Sequence, residues 1–100
     1  MWHISESKVH GIGAHASVNI SRGTKVDVVA LPNPWGFWAM TKFGSRVNHQ
    51  KNGNCELRKE SDNSFWLYTT EDIIKGTEFV SDYTLAPFPF NKNIQGFKEL

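Results

Sequence analysis

No segment of this chain sustains the 3.6-residue apolar periodicity of a helix for three turns. Apolar residues instead recur at short spacings, and turn-forming residues interrupt them every eight to twelve positions or so. The reading is mostly β. Gly13 to Val18 is short and β-compatible, Ser21-Arg22-Gly23 is a turn, and Lys25 to Leu31 has the β-branched content and partial alternation of a strand. Pro32 and Pro34 end it, because proline cannot donate to a ladder. The apolar cluster Trp35 to Met40 predicts one or two helical turns, and no larger helix is visible. Cys55 to Lys59 and Phe65 to Thr70 flank the polar run Glu60 to Ser64, the composition of a hairpin with a solvated loop. Asp72 to Gly76 turns into a last strand, Glu78 to Tyr83, and from Pro87 the sequence is irregular and aromatic, with no repeat or low-complexity tract.

A chain of 100 residues is expected to form one domain over positions 1–100, with core motifs at 10–83 and an irregular aromatic tail at 84–100. With 39% hydrophobic residues, 13% aromatics and four Trp, it can bury a core. Eleven basic and ten acidic residues are scattered along it for a net charge of +1, so no single-sign field attracts nucleic acid or an anionic membrane. The single Cys55 cannot form an internal disulfide, and no Cys/His cluster has structural-zinc spacing, so no metal is expected. The start, Met1 to Glu6, lacks the features of a signal peptide, and no stretch approaches the ~20 apolar residues of a membrane span. A soluble intracellular protein, complete as written, is the expectation.

Three segments carry candidate chemistry. In His10 to Val26, Gly11 and Gly13 bracket Ile12, and glycines let a backbone approach a ligand closely. A plain β-turn explains them as well, since the third glycine and following helix of a phosphate-binding fingerprint are absent. Phe43 to Cys55 gathers Asn48, His49, Asn52, Gly53 and Asn54, and the Asn and His side chains are able to pin a loop and read the edge of a heterocycle. A polar loop with an Asn-Gly turn is the plainer alternative, and no nucleophile stands with His49 in a triad arrangement. Thr69 to Tyr83 by itself is a turn and an amphipathic strand, with Tyr83 as a core aromatic.

Taken in order, Gly-x-Gly-x-x-Ala, then Asn-His with Asn-Cys five and six positions beyond the His, then Asp-Ile-x-x-Gly-x-Glu ending in Asp-Tyr, resemble the SET domain from Gly11 to Tyr83. The resemblance is closest to the very small viral type. It implies a β-clip fold of several short sheets around a pseudoknot, in which the segment bearing Asp82-Tyr83 passes through a loop containing Asn48-His49. It further implies an S-adenosylmethionine-dependent methyltransferase of protein lysine side chains. On that resemblance Gly11, Ile12 and Gly13 hold the methionine part of the cofactor through their backbone, Asn48 and His49 fix its amino and adenine ends, and Tyr83 is catalytic. Phe88 would serve as a lid over the adenine.

The chain departs from the family in several places. It has neither the Cys-rich segment that often precedes the domain nor the zinc-binding one that follows it. Gln50 stands where the family has Ser, and Ser45 replaces an Arg usually three residues before the Asn. The insert between the first half and Asn-His is cut to Pro32 to Lys42, which leaves Trp35, Phe37 and Trp38 as candidate substrate-binding residues. Ser81, where many members carry Phe or Tyr, would widen the lysine channel. Protein or peptide substrates, a viral or bacterial source and a homodimer built on exposed aromatics are the accompanying expectations. The alternative is a SET-like module that binds cofactor or a protein partner without turnover.

Overall fold

The computed structural model describes residues 1–87. Strands β1 (Trp2–Glu6) and β2 (Ile12–Ala16) form an antiparallel pair in which Trp2 faces Ala16 and Glu6 faces Ile12. Strands β3 (Lys25–Pro32), β4 (Trp38–Met40), β5 (Asn48–His49), β6 (Cys55–Lys59), β7 (Phe65–Thr69) and β8 (Val80–Ser81) form one mixed sheet in the order β4-β3-β7-β6-β8-β5. The mostly β expectation holds among the described residues, whose only helical elements are single 3-10 turns at Gly44–Arg46 and Tyr83–Leu85.

Alternation positions the core. On β7, Phe65, Leu67 and Thr69 are buried while Trp66 and Tyr68 are half-exposed, the period of two expected when one face of a strand packs inward. Phe65, Leu67, Val29, Phe43 and Phe79 make the centre of the cluster. Strand β1 was not legible in the sequence. Its half-buried Trp2 and Ile4 alternate with exposed His3 and Ser5, but five residues are too few for the pattern to stand out. Trp2 is what ties it down: its indole N–H donates to Asp27 Oδ2 at 2.7 Å and its ring lies 4.9 Å from that of Phe43.

Two local expectations need correction. Trp35 to Met40 is not helical. Asn33 Oδ1 accepts from the backbone N–H of both Trp35 and Phe37 at 3.0 Å, and Gly36 adopts the left-handed φ of +84°. That turn folds β4 back onto β3, with Trp38 opposite Pro32 and Met40 opposite Ala30. The last strand is also shorter than Glu78 to Tyr83. Glu78 makes a single bridge to His15, β8 is only Val80–Ser81, and Asp82 Oδ1 accepts from Thr84 N–H at 3.0 Å, which turns Tyr83 into a 3-10 turn.

Strand β8 sits between β5 and β6, parallel to both. Those two strands are the ends of a single loop, so the chain's late segment is inserted into the 48–55 loop. Hydrogen bonds from Asn54 and Gln50 hold it there. Asn54 accepts from Val80 N–H at 3.0 Å and donates to the Glu78 carbonyl at 2.9 Å, and Gln50 N–H donates to the Ser81 carbonyl at 3.1 Å. A Cβ on Gly53 would lie 2.5 Å from the Val80 carbonyl oxygen, so the loop closes on backbone only because that position has no side chain.

Candidate functional site

The three sequence segments meet at β5. Consecutive residues on a strand point to opposite faces, and Asn48 and His49 use both. Asn48 Nδ2 reaches the carbonyls of His10 at 3.1 Å and Ile12 at 3.3 Å, together with Ser7 Oγ at 3.0 Å and Glu78 Oε2 at 2.8 Å. His49 faces the other way. Its Nδ1 accepts from Tyr83 N–H at 3.0 Å, which assigns the neutral ring's proton to Nε2, and the two rings lie tilted by 34° with centroids 5.3 Å apart. One dipeptide therefore joins the Gly-x-Gly turn to the Asp-Tyr segment, positions some seventy residues apart in sequence.

The Gly-x-Gly turn is built by Ser7, whose Oγ accepts from Val9 N–H at 2.9 Å and His10 N–H at 3.1 Å while its own N–H donates to the Gly11 carbonyl at 2.9 Å. Gly11 adopts φ of +53°, and Ile12 remains exposed. Gly13 is glycine for a different reason. A Cβ there would lie 2.3 Å from Glu78 Oε2 and 3.2 Å from Asn48 Nδ2, so its missing side chain makes room for the carboxylate and the amide.

Tyr83 is 3% exposed, and its hydroxyl donates to the Val47 carbonyl. Burial holds the phenol well above its ordinary ionisation range, so it stays neutral at physiological pH. A hydroxyl that gives its proton to a carbonyl still carries lone pairs, and these are fixed in direction by the donation. Ser81 is buried one residue from Asp82, with its carbonyl engaged by Gln50. Asp82 is held below its usual range by the Thr84 hydroxyl, with the Thr84 N–H adding to it. Cys55, buried beside Ser81, is pushed up to about 12 by desolvation, with Glu71 adding to it, and behaves as a protonated core residue rather than a nucleophile.

Of the candidate substrate residues, Ser81 sits with the others, paired with His49, whereas Trp35, Phe37 and Trp38 do not. β4 and β5 are at opposite ends of the strand order. Trp38 packs edge-on against Phe65 at 5.4 Å and donates its indole N–H to the Asn63 carbonyl at 2.7 Å, so it seals the sheet. Trp35 and Phe37 are exposed at the tip of the β3–β4 turn. Phe88 lies outside the described residues. Asn54 does what the sequence suggests of it and pins the loop, whereas Ser7 and Glu78 are site residues that the sequence reading does not include. Glu78 stood inside a motif and could have been found there, whereas nothing in the sequence singles out Ser7.

Two clefts flank the inserted segment, one of about 470 Å³ bordered by Glu6, Lys8, His15, Gln50 and Glu78, and one of about 450 Å³ bordered by Gly53, Cys55, Asp82 and Leu85. Among the described residues no three His, Cys, Asp or Glu side chains gather as a metal site, and no helix is long and apolar enough to cross a membrane. Residues 28–84 match the sequence model of the SET domain. The fold is similar to that of a candidate histone methyltransferase from Plasmodium falciparum, with a TM-score of 0.65 and 18% identity over 85% of this chain and 94% of that one.

Proposed function

From the premise that this chain belongs to the SET-domain family, we propose that it is a methyltransferase that uses S-adenosylmethionine to modify lysine side chains of proteins. The observation that carries the reading is the Asn48-His49 dipeptide, which fixes the Gly-x-Gly turn with one side chain and Tyr83 with the other. The residues present fit the cofactor in kind. Carbonyl and carboxylate acceptors cluster at His10, Ile12 and Glu78, where an ammonium group finds partners, and the second glycine lets the Glu78 carboxylate and the Asn48 amide close on the turn. β5 is the terminal strand of its sheet, an edge at which main-chain groups can pair with the rim of an adenine.

When bound, S-adenosylmethionine supplies an electrophilic methyl group on a sulfonium. The protein's part is geometry. Placing a lysine amine in line with that methyl supplies about 7–11 kcal/mol of the barrier reduction available to well-oriented reactants. Tyr83 contributes the lone pairs of a hydroxyl whose direction is set by Val47, an acceptor for the amine or for the electropositive methyl. His49 is not the base, because its Nδ1 is committed to Tyr83 N–H. The amine loses its proton to solvent instead, helped by desolvation and by the neighbouring positive charge.

Binding without turnover is the second reading, favoured by the near-complete burial of Tyr83 and by the engagement of its hydroxyl. The separating experiment supplies the protein with S-adenosylmethionine carrying a tritiated methyl and a set of lysine-containing protein substrates. Label on lysine is the expected result. Cofactor binding with no transfer would establish the binding module, and absence of binding at millimolar ligand would sink both readings.

A further inference from the structure

The Gly-x-Gly site holds more acceptors than Asn48 and Ser7 have hydrogens to give them. Asn48 Nδ2 carries two hydrogens, yet four oxygens lie within reach of it: the His10 and Ile12 carbonyls, Ser7 Oγ and Glu78 Oε2. The Ser7 hydroxyl has one hydrogen and meets both carboxylate oxygens, Oε1 at 2.8 Å and Oε2 at 2.7 Å. Three hydrogens thus face two carbonyls and a charged carboxylate. Glu78 is half-buried and no lysine, arginine or histidine among the described residues forms an ion pair with it, although Lys8 borders the same cleft. Among the described residues its negative charge is met by the neutral donors Ser7 and Asn48.

We propose that Glu78 is the positioning residue of this site. It accepts one Asn48 amide hydrogen and the Ser7 hydroxyl, which holds Asn48 with its Oδ1 left for a ligand, and its charge selects ligands that bring an ammonium group to the Gly-x-Gly turn. This deepens the cofactor reading above and rests on it. Gly13 is the sequence signature of the arrangement, since any larger residue would push the carboxylate away from the turn.

The test compares two probes by calorimetry: S-adenosylhomocysteine, which carries the ammonium, and methylthioadenosine, which has the nucleoside and sulfur without it. Wild-type protein is expected to prefer the first. Glu78→Gln is expected to lower that preference about tenfold, the scale on which a charge-assisted hydrogen bond exceeds a neutral one, while leaving the affinity for methylthioadenosine within about twofold. Glu78→Asp, which keeps the charge, should restore most of the preference, and it decides the matter should Glu78→Gln not fold. An equal loss of both probes in either folded variant, or an unchanged preference in Glu78→Gln, overturns the proposal while the cofactor reading stands. Wild-type protein that takes neither probe overturns both.

Discussion

The 48–55 loop and the β3–β4 turn both lie at the rim of the six-stranded sheet, and they use their side chains in opposite ways. In the loop, Asn48, His49 and Asn54 each bond the main chain of a segment far away in sequence, and Gly53 closes on the backbone of Val80. In the turn, Asn33 bonds only its own neighbours, and Trp35 and Phe37 are 81% and 68% exposed. The first region spends its side chains on internal geometry. The second offers apolar surface outward, which suits contact with another molecule. A fixed centre and an adaptable rim are what a reaction demanding alignment of two bound partners requires, and each half of that contrast can be broken separately.

The largest effect is expected at the centre. Tyr83→Phe keeps the ring but removes the hydroxyl, so turnover should fall about a hundredfold or more with cofactor affinity changed less than about threefold. Steady-state kinetics and calorimetry on the same preparation check it, and a wild-type rate would remove Tyr83 from the chemistry. Stability should drop by about 1 kcal/mol as well, through the lost bond to Val47.

Gly53→Ala attacks the closure of the loop without touching a candidate reacting group. The new Cβ would meet the Val80 carbonyl oxygen at 2.5 Å and Ser81 Cα at 2.9 Å. Backbone cannot step aside as a flexible side chain can, so a cost of about 3 kcal/mol is expected, read as a lower urea midpoint. A midpoint equal to the wild type's would mean that the loop and the inserted segment are less tightly coupled than their contacts imply.

Alkaline pH should loosen the same region more gently. Burial raises the Cys55 pKa from 9.0 to about 12, so the unfolded chain ionises first as pH rises. The stabilisation is therefore intact below about pH 9 and is lost progressively up to about 12, and the raised Tyr83 acts in the same direction from about pH 10 upward. Between pH 8 and pH 10 the thiol accounts for roughly 1 kcal/mol. Denaturation of Cys55→Ala at both pH values should show that much less pH dependence, and an identical slope would assign the loss elsewhere.

The smallest effect on stability belongs to the rim. Replacing Trp35 and Phe37 together by Ala should change stability by less than about 0.5 kcal/mol, because both are exposed. The same change should raise the KM for a protein substrate roughly fivefold with kcat unaltered, as expected for aromatic contact residues. An unmoved KM would free these side chains for another role, and sedimentation of the double variant against wild type would show whether that role is self-association.

Sequence alone determined the strands whose pattern is local. Leu57, Phe65 and Leu67 lie on strands whose alternation and flanking turns are written in consecutive residues, and Cys55–Lys59 with Phe65–Thr69 emerged as a hairpin nearly to the residue. The order of the Gly-x-Gly, Asn-His and Asp-Tyr motifs was equally legible, because spacing is preserved in the chain itself. What tertiary structure decided is which of these groups meet. That Trp35–Met40 forms a hairpin rather than a helix depends on β3 being available as a partner, and that Glu78 and Ser7 share one site with Gly13 depends on insertion of the late segment into the 48–55 loop. Pairings of that kind join residues up to 71 positions apart. Hydrogen bonds between distant side chains leave no periodicity, so they exist only once the chain has closed.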